Sequence, residues 1–182
     1  DDLTGLVNRR EFERRLERAL VSVKKYGPSH ALCYLDLDQF KGLNDQYGHS
    51  MGDELLIEVA RRLCLCVRGS DTVARLGGDE FVVMLQNLDV VLEDEQGARV
   101  LAEAVAEKIR ATLAEPYLLT QAADATQRAV RYNCTASIGI SLFSGSGESQ
   151  GELIRRADVA MYAAKSAGRN TVRTYVESMG GN

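Results

Sequence analysis

Two pairs of acidic side chains stand where apolar runs end or turn. Asp36 and Asp38 close the run Ala31-Leu32-Cys33-Tyr34-Leu35, and Asp79 and Glu80 follow Gly77-Gly78 just before Phe81. In an extended strand, residues two apart project from one face, so Asp36 and Asp38 share a face if the strand continues through them. Hard carboxylate oxygens suit Mg²⁺, which takes one or two of them and completes its shell with water and substrate phosphates. In a two-metal site one ion activates the attacking oxygen while the other steadies the departing one, which is polymerase-like chemistry. Taken singly, each acid also fits the ordinary case of a solvated carboxylate at a strand end. Lys165 and Arg169, four residues apart on a helical stretch, offer cations on one side that can hold phosphate or simply complement the helix dipole.

The elements that must position these groups are read from apolar spacing. A first helix starts near Asn8, which can cap it while Glu11 reaches back; Phe12, Leu16, Ala19, Leu20 and Val23 form its stripe and Gly27-Pro28 ends it. The run 31–35 suits a central strand. A second helix follows Ser50, with Leu56, Val59, Ala60, Leu63 and Val67 on one face and Gly69 as its stop. Residues 72–76 and 81–85 read as a β-hairpin whose two-residue turn is Gly77-Gly78, placing Asp79 and Glu80 at the tip or first rungs.

A polar loop over 86–96 leads to a third helix over about 98–113, and 130–142 reads as one longer strand or two joined by a bend. After a Gly/Ser loop over 144–151, Ser149 and Glu152 form a capping box for the last helix, whose Leu153, Ala157, Ala160, Met161 and Ala164 face the core; 172–176 alternates like an edge strand. Four helices and about five strands thus interleave. The hairpin makes the sheet mixed, so the fold class is α/β (α+β), a mixed central sheet of about five strands with flanking helices.

Composition narrows the function. With 182 residues, 45% apolar and 26% charged, the chain is one domain able to bury a core, and a net charge of -4 argues against coating a nucleic-acid polymer. No apolar stretch approaches the roughly 20 residues that span a bilayer, so this domain is expected to be cytoplasmic and without membrane contact. The first residue is Asp1 rather than Met, which fits a domain cut from a longer, multidomain protein whose other parts could sit in a membrane. The four cysteines, Cys33, Cys64, Cys66 and Cys134, lie in apolar runs as small buried side chains do. No G-x-x-x-x-G-K-[ST] loop is present; His49, a lone histidine before a helix, reads as making local hydrogen bonds, and neither it nor His30 is assigned to the active site.

Longer motifs decide among these readings. The string Asp36-Leu37-Asp38-Gln39-Phe40-Lys41-Gly42-Leu43-Asn44-Asp45-Gln46-Tyr47-Gly48-His49-Ser50-Met51-Gly52-Asp53, then Arg75-Leu76-Gly77-Gly78-Asp79-Glu80-Phe81, closely resembles the GGDEF family of diguanylate cyclases. Asp2-Leu3-Thr4-Gly5-Leu6-Val7-Asn8-Arg9-Arg10, Ser137-Ile138-Gly139-Ile140 and the stretch from Ala157-Asp158 to Gly168-Arg169-Asn170 resemble its opening, late-strand and final-helix motifs. The least similar part is 86–131.

The resemblance implies an enzyme that condenses two GTP into cyclic di-GMP and two pyrophosphates. It implies Mg²⁺, with Mn²⁺ as a substitute, bound by Asp36, the Leu37 carbonyl, Asp79 and Glu80, with Asp79 and Glu80 catalytic. Asn44 and Asp53 would read guanine, whose N1-H and amino group match an ionised carboxylate; local capping by Asn44 near Gly48 and an Asp53 box with Ser50 are the alternatives. Lys41, Lys165 and Arg169 would grip phosphates. One GTP per subunit implies a homodimer. Arg68 and Asp71, of Arg68-Gly69-Ser70-Asp71, match the family's product-inhibition site for cyclic di-GMP, against the alternative of a helix-end Arg and a strand-leading Asp. The rival functions are a catalytically idle module that binds GTP or cyclic di-GMP as a regulatory input, and a related nucleotidyl cyclase.

Overall fold

The computed structural model describes residues 1–26, 29–88, 95–123, 126–144 and 147–180. A five-stranded sheet runs in the order β2-β3-β1-β6-β7, built from β1 (His30–Asp38), β2 (Thr72–Gly77), β3 (Glu80–Leu85), β6 (Thr135–Phe143) and β7 (Val172–Thr174). β1 is central and antiparallel to both β3 and β6, whereas β7 joins β6 in parallel, so the sheet is mixed as its hairpin predicts. β4 (Tyr117–Ala123) and β5 (Thr126–Tyr132) pair separately as a two-stranded hairpin. The helices are α1 (Arg9–Tyr26), α2 (Phe40–Tyr47), α3 (His49–Cys66), α4 (Glu95–Ala114) and α5 (Gln150–Ser166).

The period of two along β1 divides the core. Ala31, Cys33, Leu35 and Leu37 pack with α3 and α4, while Leu32 and Tyr34 pack with α1 and α5. Asp36 and Asp38 continue the second set, on the α5 side. Phe12, Leu16, Ala19 and Leu20 of α1 are buried as their spacing predicts; the side chain of Val23 and the Gly27-Pro28 stop lie outside the described residues. At Gly139 of β6 a Cβ would collide with the Ala157 carbonyl and the Met161 amide, so α5 rests on the strand backbone itself.

Several local expectations are corrected. Asn8 does cap α1, accepting the Glu11 amide at 3.0 Å, but the Glu11 carboxylate turns forward to Arg14 and Arg15. Likewise Ser149 caps α5 while Glu152 pairs with Arg155 and Arg156. α3 stops at Cys66, ahead of Gly69, with Val67 extended. Residues 130–142 divide between β5 and β6, which belong to different sheets. α2 and β4 are additional elements: α2 has eight residues and one buried side chain, Leu43, too little for a periodic signal. Cys64 is exposed, unlike Cys33, Cys66 and Cys134. His30 is buried, receives the Asn87 amide on Nδ1 at 3.0 Å and packs against Phe143.

Candidate active site

The acidic pairs meet at one end of the sheet. Asp36 lies directly across from Glu80 in the β1–β3 register, and Asp79 occupies the turn before Glu80. Gly77 pairs with Glu80 after a register shift, so the two-residue turn is Gly78-Asp79, one residue later than the sequence reading, with Gly77 and Gly78 both at positive φ. The tip is tied down from three directions. The Leu37 amide donates to the Asp79 carbonyl at 3.3 Å, Arg75 Nε donates to the Gly78 carbonyl at 2.9 Å, and Arg75 Nη1 reaches Asp1 Oδ1 at 3.2 Å. The Arg75 charge also faces Asp53 and Asp79. Tyr34 Oη donates to Glu80 Oε1 at 3.1 Å and fixes that carboxylate on the α5 side.

Like charges directly opposite on neighbouring strands repel, so Asp36 and Glu80 call for a cation. Lys165 Nζ supplies one, 2.7 Å from Asp36 Oδ1. Burial pushes the Asp36 carboxyl above the ordinary aspartate range, the Lys165 bond pulls against that, and Asp79 and Asp38 add to the rise. Among the described residues no group of three or more His, Cys, Asp or Glu forms a ready-made metal cage. Mg²⁺ is bound by one or two carboxylates together with substrate phosphates, and Asp36 and Asp79, whose charges act on each other, are hard oxygen donors that fit it.

Asp38 shares the face of Asp36, but its oxygens are occupied. Ser137 Oγ donates to Oδ1 at 2.7 Å, and Thr135 Oγ1 and the Asn170 amide donate to Oδ2 at 2.6 and 3.0 Å. The turn that Asn170 belongs to follows α5 and has three successive positive φ values, 106° at Gly168, 65° at Arg169 and 44° at Asn170. Left-handed backbone costs a residue with a Cβ roughly 1 to 2 kcal/mol, so this turn is held by its surroundings. Arg169 itself is exposed.

Neither capping alternative is what the chain uses at Asn44 and Asp53. The Gly48 amide donates to the Asn44 backbone carbonyl at 2.8 Å, leaving the side chain out, and α3 has Gly48 at its N-cap with no side-chain cap. Asn44 Oδ1 is buried without a hydrogen-bond partner and sits where a Cβ on Gly52 would collide with it. Asp53 is exposed on α3 and Lys41 is exposed on α2.

Arg68 and Asp71 stand apart, at the opposite end of β2 from the Gly78-Asp79 turn, roughly 20 Å along a six-residue strand. Asp71 binds the Arg68 amide at 2.9 Å and the Gln86 amide at 3.1 Å, so the strand-leading role holds for its carboxylate. Arg68 is exposed beside a cavity of about 290 Å³ that Gly5, Cys64, Val67 and Val73 also line. Sequence reasoning gives Arg75, Tyr34 and Gly52 no site role, and reads Asp38 only as a carboxylate sharing the face of Asp36. Arg75 and Gly52 did lie inside the motif strings, and that was their only signal.

A family model described as "Diguanylate cyclase, GGDEF domain" matches residues 1–171. The bifunctional diguanylate cyclase/cyclic di-GMP phosphodiesterase MucR of Pseudomonas aeruginosa is 42% identical over 184 residues, which cover 100% of this chain and 24% of MucR. The chain therefore spans about a quarter of that relative's length. The crystal structure of the GGDEF domain of TpbB from Pseudomonas aeruginosa is similar, with a TM-score of 0.81 at 35% identity, covering 95% of this chain and 98% of that one. So is the GGDEF domain of DgcB from Caulobacter crescentus in complex with c-di-GMP, at 0.80 and 32% identity, covering 96% and 94%.

Proposed function

Because the chain belongs to the GGDEF family of diguanylate cyclases, we propose that it condenses two GTP molecules into cyclic di-GMP as one half of a homodimer in the cytoplasm. The observation that carries this reading is the corner where Asp36, Asp79 and Glu80 come together with Lys165 bonded to Asp36. Carboxylates for a metal and a cation for phosphate share one spot. Asp36, the Leu37 carbonyl and Asp79, with help from Glu80, would hold Mg²⁺, or Mn²⁺ in its place, whose charge would acidify the ribose 3′-hydroxyl and offset the triphosphate.

The chain's own groups do the rest. Lys165 exchanges Asp36 for phosphate oxygens, and Arg169 and Lys41 add charge-assisted bonds. Asp53 accepts from guanine N1-H and its amino group, and Asn44, whose side chain is spare in the fold, completes the reading of the base. Adenine would leave the carboxylate facing an acceptor, at a cost of about 1 to 3 kcal/mol. Asp79 takes the proton as the 3′-oxygen of one GTP bonds to the α-phosphorus of the other. The bond from that phosphorus to the β-phosphate bridge breaks and pyrophosphate departs. The same step with roles reversed closes the ring. Each protomer carries one such half-site, so two must face each other about a two-fold axis. Cyclic di-GMP then restrains turnover at Arg68 and Asp71, where the exposed guanidinium stands on a turn already fixed by Asp71.

Incubation with GTP and Mg²⁺ at low and high protein concentration tests the reading. It predicts cyclic di-GMP, with a specific rate that rises with concentration, and a loss of at least about 10²-fold in Asp79→Asn with melting unchanged. No cyclic di-GMP at any concentration, even after artificial dimerisation, would replace it with the idle binding module. Arg68→Ala is expected to relieve inhibition by added product.

A further inference from the structure

We propose that Asp38, which the catalytic reading leaves without a role, is a positioning residue for phosphate binding: it anchors the turn that presents Arg169. The inference rests on the assignment of Lys165 and Arg169 to the phosphates. Asp38 is 6% exposed and sits 132 residues before Asn170 in the chain, yet Oδ2 receives the Asn170 amide. Thr135 and Ser137 of β6 donate to the same carboxylate and set its direction. All three bonds run into Asp38, which donates none.

The turn depends on such a hold. Gly168 takes a positive φ freely, but Arg169 and Asn170 do not. Within the helix end, the Arg169 amide donates to the Ala164 carbonyl at 3.2 Å. From outside, Asp38 takes the Asn170 amide and Arg110 Nη1 donates to Asn170 Oδ1 at 2.7 Å. Arg169 therefore stands one residue from an amide fixed to β1 and four from Lys165, which is fixed to β1 through Asp36. The two acids of Asp36-Leu37-Asp38 pin the two ends of one phosphate-facing segment. They differ in what happens next. Asp36 must release Lys165 to engage its own ligand, whereas Asp38 keeps its bonds and holds Arg169 in place throughout.

The test measures binding of 3′-deoxy-GTP with Mg²⁺, a probe that lacks the attacking hydroxyl and is not turned over, to the whole chain. Arg169→Ala and Asp38→Ala each weaken binding roughly tenfold, the scale of one charge-assisted bond, and the double variant is no weaker than Arg169→Ala alone. Asp38→Asn stays within about threefold, because its carbonyl oxygen still accepts from Asn170 and Thr135 while its amide donates to Ser137 Oγ. In Asp38→Ala, hydrogen exchange at the Asn170 amide quickens tenfold or more while the β1–β6 ladder keeps its protection. Should Asp38→Ala not melt cooperatively, Asp38→Ser carries the same cycle, since its short hydroxyl cannot reach Asn170. Additive losses, or unchanged Asn170 exchange, overturn the proposal. A neutral Arg169→Ala instead overturns the phosphate assignment on which it rests.

Discussion

Among the described residues two β-hairpins are braced at different places. β2–β3 belongs to the five-stranded sheet, β2 at its edge and β3 beside β1, with Val73, Ala74 and residues 81–85 buried, so its strands are secured by the core. Its tip receives additional bonds from Leu37 and from the Arg75 side chain, and farther back the Arg75 amide donates to the Val7 carbonyl and the Gln86 amide to Asp71. β4–β5 is a two-stranded sheet, an arrangement marginal by itself, and Leu118 on it is 78% exposed. Its brace is at the base. Arg62 donates to the carbonyls of Thr112, Glu115 and Pro116, pairs with Glu58 and lies 3.8 Å over the Tyr117 ring. Bracing a base attaches a hairpin to the fold. Bracing a tip fixes where its end groups stand, and the first hairpin carries Asp79 and Glu80 there.

Arg75→Ala should break this contrast most severely. It frees the Gly78 carbonyl and Asp1, and a displacement near 1 Å at reacting groups costs about 10²-fold in rate. Initial rates of cyclic di-GMP formation should fall by that order with a smaller change in melting temperature; a rate equal to that of the unchanged chain would mean that the tip holds itself. Arg62→Met should do the reverse. Three partly buried carbonyls lose their donor and Glu58 is left with Arg61 alone, which costs about 3 kcal/mol in urea unfolding, while turnover per folded molecule stays within about twofold.

The smallest effect concerns pH at the same base. Arg61, and then Arg62, hold the Glu58 carboxyl down to about 2 from an ordinary 4.5. A depressed acid stabilises the fold fully above its unfolded value, and that contribution fades as pH falls from about 4.5 towards 2. The melting difference between the chain and Glu58→Gln should narrow across that window, and one that stays constant would remove Glu58 from the brace.

Much of the active corner was legible because local and motif signals agreed there. An apolar run gave β1, a glycine pair gave the hairpin, and the acids followed both. The turn was misplaced by one residue because the irregularity between Arg75 and Gly77 lies in strand pairing, which no local pattern announces. β4 was missed for a related reason. Its stability comes from Arg62, 54 residues from Pro116, and nothing near Tyr117 signals that clamp. Asp38 looked like a twin of Asp36 for as long as its partners, 97 to 132 residues away, were unknown. The capping boxes went half right because Glu11 and Glu152 each had arginines three and four residues onward, a competing pair that the sequence also displays.

Gly139 has a mechanical consequence. Side chains between a helix and a strand act as a cushion, letting the helix slide by small amounts when either surface is altered. With the α5 backbone lying directly on β6, that cushion is missing. The span from Asp36 to Lys165 then behaves like the throw of a rigid linkage, set by two backbones in contact. A chimera that borrows α5 from a relative should borrow β6 with it, because the two were cut to fit as one part.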